Sequence, residues 1–169
     1  MFESIRDQRV AHIVDKEILD LAGMDDPGHV AVFEYWDRVR RARVGPPVGE
    51  FRLEALPPAI IPSIAVIDFL GPPMDFRYRF FGTHMVQVAG QELTGKRYFA
   101  DNIEGFGFVN AEVLPMMIER REPVYSRTHW ISVKDLKFTT ASIRLPLSED
   151  GETITGGVVV DRFTPGHEA

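Results

Sequence analysis

The sequence of 169 residues contains no cysteine. This absence excludes disulfide bonds, thiolate nucleophiles, iron–sulfur clusters, zinc sites built from thiolates and any chromophore linked through cysteine. Cations are also in the minority, because 19 lysines and arginines stand against 25 aspartates and glutamates, for a net charge of −6. An acidic balance argues against binding of nucleic acid or of an anionic membrane over the whole surface.

Long apolar segments are missing as well. Charged residues interrupt the segment 1–25, so no apolar run of signal-peptide length remains there. The most apolar stretch, Ala55–Leu70, is broken by Pro57, Pro58 and Pro62 and is too short to span a bilayer. We therefore expect a cytoplasmic protein that does not contact a membrane. A length of 169 residues is typical of one domain.

The helical patterns lie mainly in the first part of the chain. Apolar residues at helical spacing predict a helix over Ser4–Ala22. A second helix is predicted from an N-cap at Asp26 to about Arg43. A third is predicted over Phe106–Arg121, with Pro115 inside it as a kink or a break.

Five strands are predicted between and after these helices. Ile64–Leu70 and Asp75–Phe81 form a hairpin, and a meander follows over Pro123–Val133, Lys137–Leu147 and Thr153–Phe163. The order of elements predicts an α+β fold in which a five-stranded antiparallel sheet carries its helices on one face.

The predicted domain organisation has three parts. We expect residues 1–28 to form an N-terminal helical extension, residues 29–163 the domain, and residues 164–169 a short tail.

A family resemblance rests on two strings. The segment Phe76–Thr83 reads FRYRFFGT, and Gly90–Gly95 reads GQELTG. Together they resemble PAS-domain proteins, most of all the small single-domain PAS-like proteins typical of alphaproteobacteria, over roughly residues 30–163. The resemblance implies a five-stranded sheet with short helices that cup a small-molecule pocket, and it implies sensing or protein interaction rather than catalysis.

The usual PAS cofactors do not fit this chain. A flavin photosensor of the light-oxygen-voltage type and a photoactive-yellow-protein chromophore both need a cysteine, which is absent. Haem-binding PAS domains typically ligate iron through a histidine of the long helix, and Phe106–Arg121 contains none. None of the five histidines has metal-ligand spacing. We therefore expect no cofactor and no metal.

A set of apolar and aromatic residues is the predicted ligand pocket, since small-ligand sites are concave and mostly apolar. Its members are Phe81, Met85, Phe99, Phe106, Met116 and Trp130. The same residues are equally compatible with a filled core that has no cavity.

An enzyme is the alternative function. A small α+β cone that acts as an isomerase or hydrolase needs a carboxylate or histidine in an apolar pocket, and Asp68 or His84 is the candidate. Asp68 precedes a Gly-Pro-Pro turn, where aspartate is expected for the turn alone. Asp161 in the last strand is another candidate carboxylate, but it precedes Arg162 and is expected to face water. No nucleophile–base pair or oxyanion motif is visible, so we expect no catalytic activity.

The leading hypothesis is a sensory or interaction domain that docks to a regulatory protein, with or without a small apolar ligand. Its candidate partner contacts are Arg38, Arg40, Arg41 and Arg43. These arginines also have a structural explanation, because cations complement the dipole at a helix C-terminus. The apolar stripe of the predicted helix Ser4–Ala22 must be covered, either by the sheet or by a second copy of the chain, so a homodimer through this helix is expected as one arrangement.

Overall fold

A seven-stranded antiparallel sheet organises the chain. The computed structural model describes residues 9–71, 75–98 and 106–167, with side chains in the last range described from Val109. The strands are β1 (Val10–Leu19), β2 (Ile64–Gly71), β3 (Asp75–Phe81), β4 (Arg97–Tyr98), β5 (Val124–Ser132), β6 (Lys137–Leu147) and β7 (Gly156–Pro165). Their order across the sheet is β1-β5-β6-β7-β2-β3-β4, and each neighbouring pair is antiparallel.

The five predicted strands are present as β2, β3, β5, β6 and β7, but the predicted strand number is wrong. One strand is added at each edge of the sheet: β1 pairs with β5, and β4 pairs with β3. Within the described residues, β4 contributes Arg97 and Tyr98 to this pairing. A strand of two residues is too short to show an alternating pattern, so the sequence carries no periodic signal for it.

The helix predicted over Ser4–Ala22 is also wrong in the part that the structure describes. Val10–Leu19 is strand β1, and Leu21–Gly23 is a short 3-10 turn. The register against β5 shifts twice, between Val10 and His12 and again between Ile13 and Asp15. Because of these irregularities, roughly every third residue of β1 faces the core. An amphipathic helix places its apolar residues at a similar spacing. The β-branched residues of this segment favour the strand.

Three α-helices are described: α1 (Pro27–Arg40), α2 (Thr83–Ala89) and α3 (Phe106–Arg120). Asp26 caps α1 as the sequence predicts, since its side chain accepts a hydrogen bond of 3.0 Å from the His29 amide. Gly90 ends α2 in the left-handed conformation, with φ of 73°. Helix α3 continues through Pro115.

The helices cover both faces of the sheet, so the prediction that they lie on one face is wrong. Helix α1 packs on one face through Val32 and Trp36, while α2 and α3 pack on the other. Strand β7 shows the alternation, because Val158 and Val160 face the α1 side and Val159 faces the α2–α3 side. Each face therefore has its own apolar core.

Candidate functional site

A cavity lies between the sheet and helices α2 and α3. Its volume is about 260 Å³. The sheet supplies residues from β2, β3, β4 and β7, and the start of β1 and the β5–β6 turn also contribute. The described residues that line it are Arg9, Val10, Ala65, Tyr78, Phe81, Met85, Val88, Ala89, Gln91, Leu93, Tyr98, Asn110, Val133, Val159, Asp161 and Phe163.

The β3–α2 connection positions the roof of this cavity. At Gly82 the chain passes so close to the preceding segment that a Cβ atom would lie 2.3 Å from the Pro62 carbonyl oxygen. The Gly82 amide donates to the Ile64 carbonyl at 2.8 Å, which fixes the turn from β3 into α2 against the start of β2. Glycine is therefore required at position 82 for α2 to lie over the sheet.

The GQELTG segment, Gly90–Gly95, closes the other side of the cavity roof. The Phe81 amide donates to Thr94 Oγ1 at 3.2 Å, and the Gly95 amide donates to the Tyr78 carbonyl at 2.6 Å. Leu93 is buried in the same core as α2. The GQELTG segment thus folds back onto β3 and holds two cavity residues, Tyr78 and Phe81, in place.

Most of the cavity wall is apolar and aromatic. The rings of Tyr78 and Phe81 meet edge to face with centroids 4.9 Å apart, and the rings of Tyr78 and Tyr98 do so at 5.5 Å. Such edge-to-face contacts orient the rings as well as burying them. An aromatic ligand would find the same ring edges and faces available.

One wall is polar and buried. It consists of Tyr78, Asn110 and Asp161, and behind it lies the guanidinium of Arg144, of which 2% is exposed. Arg144 Nε donates to Asn110 Oδ1 at 3.0 Å, and Arg144 Nη1 donates to Ser126 Oγ at 3.0 Å. Since a guanidinium can only donate, Arg144 fixes the orientation of the Asn110 amide.

The remaining hydrogen bonds of this wall follow from that orientation. The Asn110 Nδ2 group points to the Tyr78 hydroxyl and donates to it at 3.4 Å. The Ser142 hydroxyl donates to Asp161 Oδ1. The structure thus presents a hydroxyl and a carboxylate on the same wall of a cavity whose lining is mostly apolar.

Burial and charge act against each other at the two ionisable groups. Burial raises the pKa of the Asp161 carboxyl, while the positive charge of Arg144 and the hydrogen bond from Ser142 act in the lowering direction. Burial lowers the pKa of the Arg144 guanidinium, and the Asp161 charge opposes this. Burial also raises the pKa of the Tyr78 hydroxyl, which stays neutral. Arg144 and Asp161 therefore compensate each other electrostatically within the core.

The predicted pocket residues fall into three groups. Phe81 and Met85 line the cavity. Trp130 is fully buried outside its lining, stacked on Phe138 at 4.8 Å and bonded through Nε1 to Thr140 at 2.8 Å, and Met116 is partly buried against the same core. Phe99 lies outside the described residues. Phe106 begins α3, and its side chain lies outside the described part of the chain.

The predicted catalytic candidates lie away from the cavity lining. Asp68 pairs with Arg77 at 3.1 Å and with Arg79 at 3.0 Å. His84 Nδ1 shares a hydrogen bond of 3.1 Å with the Ser63 hydroxyl, and burial lowers the pKa of its imidazole. The structure brings neither residue into the apolar wall described above.

Asp161 is the residue whose placement the sequence analysis missed. It was expected to face water, but only 8% of it is exposed, and it lines the cavity. The physical reason is that both faces of β7 are covered, so alternation along the strand leads from one buried face to another.

The arginine cluster is partly engaged within the chain. Arg43 binds the Glu50 carboxylate with two hydrogen bonds, of 3.3 and 2.7 Å, and donates to the Val39 carbonyl at 2.8 Å. The Arg40 guanidinium lies 4.9 Å from the Trp36 ring centroid. Arg38 and Arg41 are exposed.

A second depression, of about 400 Å³, lies on the α1 side near the start of that helix. The two arginines at its border are paired: Arg127 binds Glu17 at 2.7 Å, and Arg162 binds Asp26 at 3.3 Å. It is therefore a groove between surface ion pairs and lacks the apolar wall of the cavity.

None of the described helices is long and apolar enough to cross a membrane. Within the described ranges, no group of three or more histidine or carboxylate side chains is arranged to hold a metal ion.

The chain is similar to the structure of an RNA-binding light-oxygen-voltage receptor, with a TM-score of 0.42 and 10% sequence identity. The match covers 93% of this chain and 39% of that chain, so the chain spans well under half of the receptor's length. No family model matches the chain, and the curated proteins contain no match to it.

Proposed function

We propose that this chain is a non-enzymatic, PAS-like sensory or protein-interaction domain that binds a small, largely apolar ligand. The observation that carries the proposal is the cavity between the sheet and helices α2 and α3, with its aromatic lining and its single polar wall. Concave apolar sites with a few convergent polar groups are the usual design for small ligands.

The size of the cavity limits the ligand. An apolar cavity of about 150 Å³ holds a benzene molecule. With a volume of about 260 Å³, this cavity has room for a molecule of one or two fused rings. Burial of such a ligand against Phe81, Met85 and Leu93 supplies the apolar contact area for binding.

A signal would leave through the elements that the ligand touches. The lining includes Met85, Val88 and Ala89 of α2 and Val10 at the start of β1. A ligand shifts a conformational equilibrium only by its different contacts with two states, so α2 and the β1 edge are the elements to which a regulatory partner would respond. The exposed side chains of Arg38 and Arg41 are the remaining candidates for contact with an acidic partner surface.

The test uses the cavity residue Ala89. Native mass spectrometry of the purified protein, and thermal shift with a panel of neutral aromatic compounds, should reveal a bound molecule in the wild type. Ala89→Leu fills part of the cavity and should abolish the response. The control Ala89→Ser leaves the volume open and should retain it.

Two results would contradict this proposal. If the wild type retains no molecule and no compound raises its Tm, the chain is an interaction module whose cavity binds no ligand of this class. If Ala89→Leu responds as the wild type does, the compounds bind elsewhere.

A proton-transfer enzyme is the second candidate, and it rests on Asp161 rather than on Asp68 or His84. A carboxyl in an apolar cavity with a raised pKa is a typical general base. The structural charge balance with Arg144 explains the same burial without catalysis. Turnover of a carbonyl compound that is lost in Asp161→Asn, with the protein still folded, would favour the enzyme.

A further inference from the structure

We infer that the ligand of this cavity is a neutral aromatic molecule of one or two rings that donates a hydrogen bond to the carboxylate of Asp161. The inference rests on the proposed function, and it adds the chemical class of the ligand. It follows from the hydrogen-bond inventory of the polar wall and from the charges behind it.

The wall presents one unfilled acceptor. Asp161 Oδ1 accepts from Ser142, whereas Oδ2 makes no hydrogen bond to any residue within 9–71, 75–98 and 106–167. Asp161 lines the cavity, so a bound molecule can reach this carboxylate. A carboxylate oxygen facing an apolar space favours a ligand that brings an N–H or O–H group to it.

The polar groups next to Asp161 already form hydrogen bonds within the protein. The Asn110 amide is held by Arg144 on one side and by the Tyr78 hydroxyl on the other. Tyr78 accepts that bond with its oxygen, and its hydrogen remains to donate once. The ligand edge that matches this wall therefore carries a donor opposite Asp161, with an acceptor or a π-face opposite Tyr78.

The charge balance selects a neutral ligand. Arg144 and Asp161 together carry one positive and one negative charge in the same buried region. A ligand carboxylate at the wall would add a second negative charge beside Asp161, and a ligand ammonium would leave the region with an unbalanced positive charge. The carboxylate would lack an opposite charge, and the ammonium, by pairing with Asp161, would leave the charge of Arg144 uncompensated; an uncompensated buried charge is strongly unfavourable.

Among the described residues of the lining, Arg9 is the one further charged residue. Its side chain is exposed, so water and salt screen its charge. An anionic group of the ligand that pairs with Arg9 would have to remain at the mouth of the cavity. There the anion would be far less buried than at the polar wall.

Matched probes separate these readings. Indole and indene have nearly the same shape, but only indole carries an N–H donor, and indene-2-carboxylate adds an anion to the donor-free ring. Binding is measured by titration calorimetry with the full chain at a series of increasing pH values, because burial raises the pKa of Asp161. We expect indole to bind roughly tenfold or more tightly than indene, and the carboxylate to bind more weakly than indole.

The outcomes distinguish this inference from the proposed function. If indole and indene bind equally, the donor is not recognised and the inference fails, while the cavity remains a ligand site. If indene-2-carboxylate binds as tightly as indole, the cavity recognises an anionic group at its mouth, and the inference also fails. If none of the three probes binds, both the inference and the proposed function fail.

Two variants at the wall complete the test. Asp161→Asn removes the charged acceptor and should reduce the preference for indole over indene at least several-fold. Ser142→Ala keeps the carboxyl group but removes its internal hydrogen bond, which acts to lower its pKa, so the variant should retain the preference once the pH is high enough to ionise Asp161. If Asp161→Asn does not fold, the preference for indole over indene in Ser142→Ala still tests the inference. In that variant Oδ1 has lost its internal donor, so the carboxylate should favour a donor from the ligand at least as strongly. A preference lost in that folded variant overturns the inference.

Discussion

Replacing Arg144 by methionine tests whether charge balance holds the polar wall together. The guanidinium is 2% exposed and donates to Asn110 and Ser126, so its removal leaves two acceptors and the Asp161 carboxylate without compensation. Leaving a buried acceptor without its donor costs about 1–3 kcal/mol, and here two acceptors lose their donor while Asp161 loses the opposing charge. Against a total stability of about 5–15 kcal/mol, that loss is large but measurable.

The loss should depend on pH, with a sign fixed by Asp161. Burial raises its pKa in the folded state, and Arg144 acts against that rise, so the Arg144→Met variant should show a larger rise. Between the ordinary value of 3.8 and the raised value, the folded state binds more protons than the unfolded state. Stability therefore falls as pH increases through this window, and acid pH should restore part of it.

Urea unfolding followed by the fluorescence of Trp36 and Trp130, from about pH 4 to pH 8, measures this effect. The control is Arg79→Met, which removes the same type of side chain from an exposed pair with Asp68 and should change stability by less than about 1 kcal/mol. The double variant Arg144→Met/Asp161→Asn should recover much of the loss. A loss in Arg144→Met that is independent of pH, or no recovery in the double variant, would refute the reasoning.

Two further predictions concern the α1 face. Burial lowers the pKa of His29 below its ordinary value of 6.5, so the unfolded chain binds a proton that the folded chain excludes, and Tm should fall as pH drops below 6.5. His29→Leu should flatten that part of the Tm profile, and an unchanged slope would contradict the assignment. Gly45→Ala would place a Cβ 2.2 Å from the Pro146 carbonyl oxygen and should cost about 1–3 kcal/mol in chemical unfolding. Gly49→Ala, with no atom within 4 Å, is its control and should change stability by less than about 0.5 kcal/mol; equal losses would contradict the steric argument.

Local patterns were sufficient for the central strands and for the start of α1. The hairpin β2–β3 and the meander β5–β7 have β-branched or alternating runs bounded by turn residues, and each is found within a few residues of its predicted range. The Asp26 cap is likewise a property of three or four consecutive residues. The PAS resemblance itself stays a prediction.

The errors arise where non-local contacts decide. In β1, two register irregularities against β5 give a strand the inward spacing of a helix, and only pairing with Ile131 and Trp130 reveals its type. On β7, the neighbour Arg162 indicated a solvent face for Asp161, but helices on both faces of the sheet leave that position buried. The elements that cover the second face of the sheet are far from Asp161 in the sequence. The residues around Asp161 therefore do not indicate that its side chain is buried.

The candidate site divides in the same way. Phe81 and Met85 belong to the β3–α2 connection, whose local turn places them over the sheet, and they line the cavity. Trp130 meets Phe138 and Thr140 through the β5–β6 register, which directs its ring into the core beside the cavity lining. The polar wall joins β3, α3, β6 and β7, so no single motif in the sequence could indicate it.

The central claim, that the cavity binds a small aromatic molecule, is tested most directly by methyl-resolved NMR titration with indole. Indole should cause saturable shifts at the methyl groups of Met85, Leu93 and Val159, which line the cavity. The methyl groups of Ile143 and Val160, in the core on the α1 side, should stay unchanged. Shifts confined to the α1 side, or no saturable shift at Met85, Leu93 and Val159, would contradict the account.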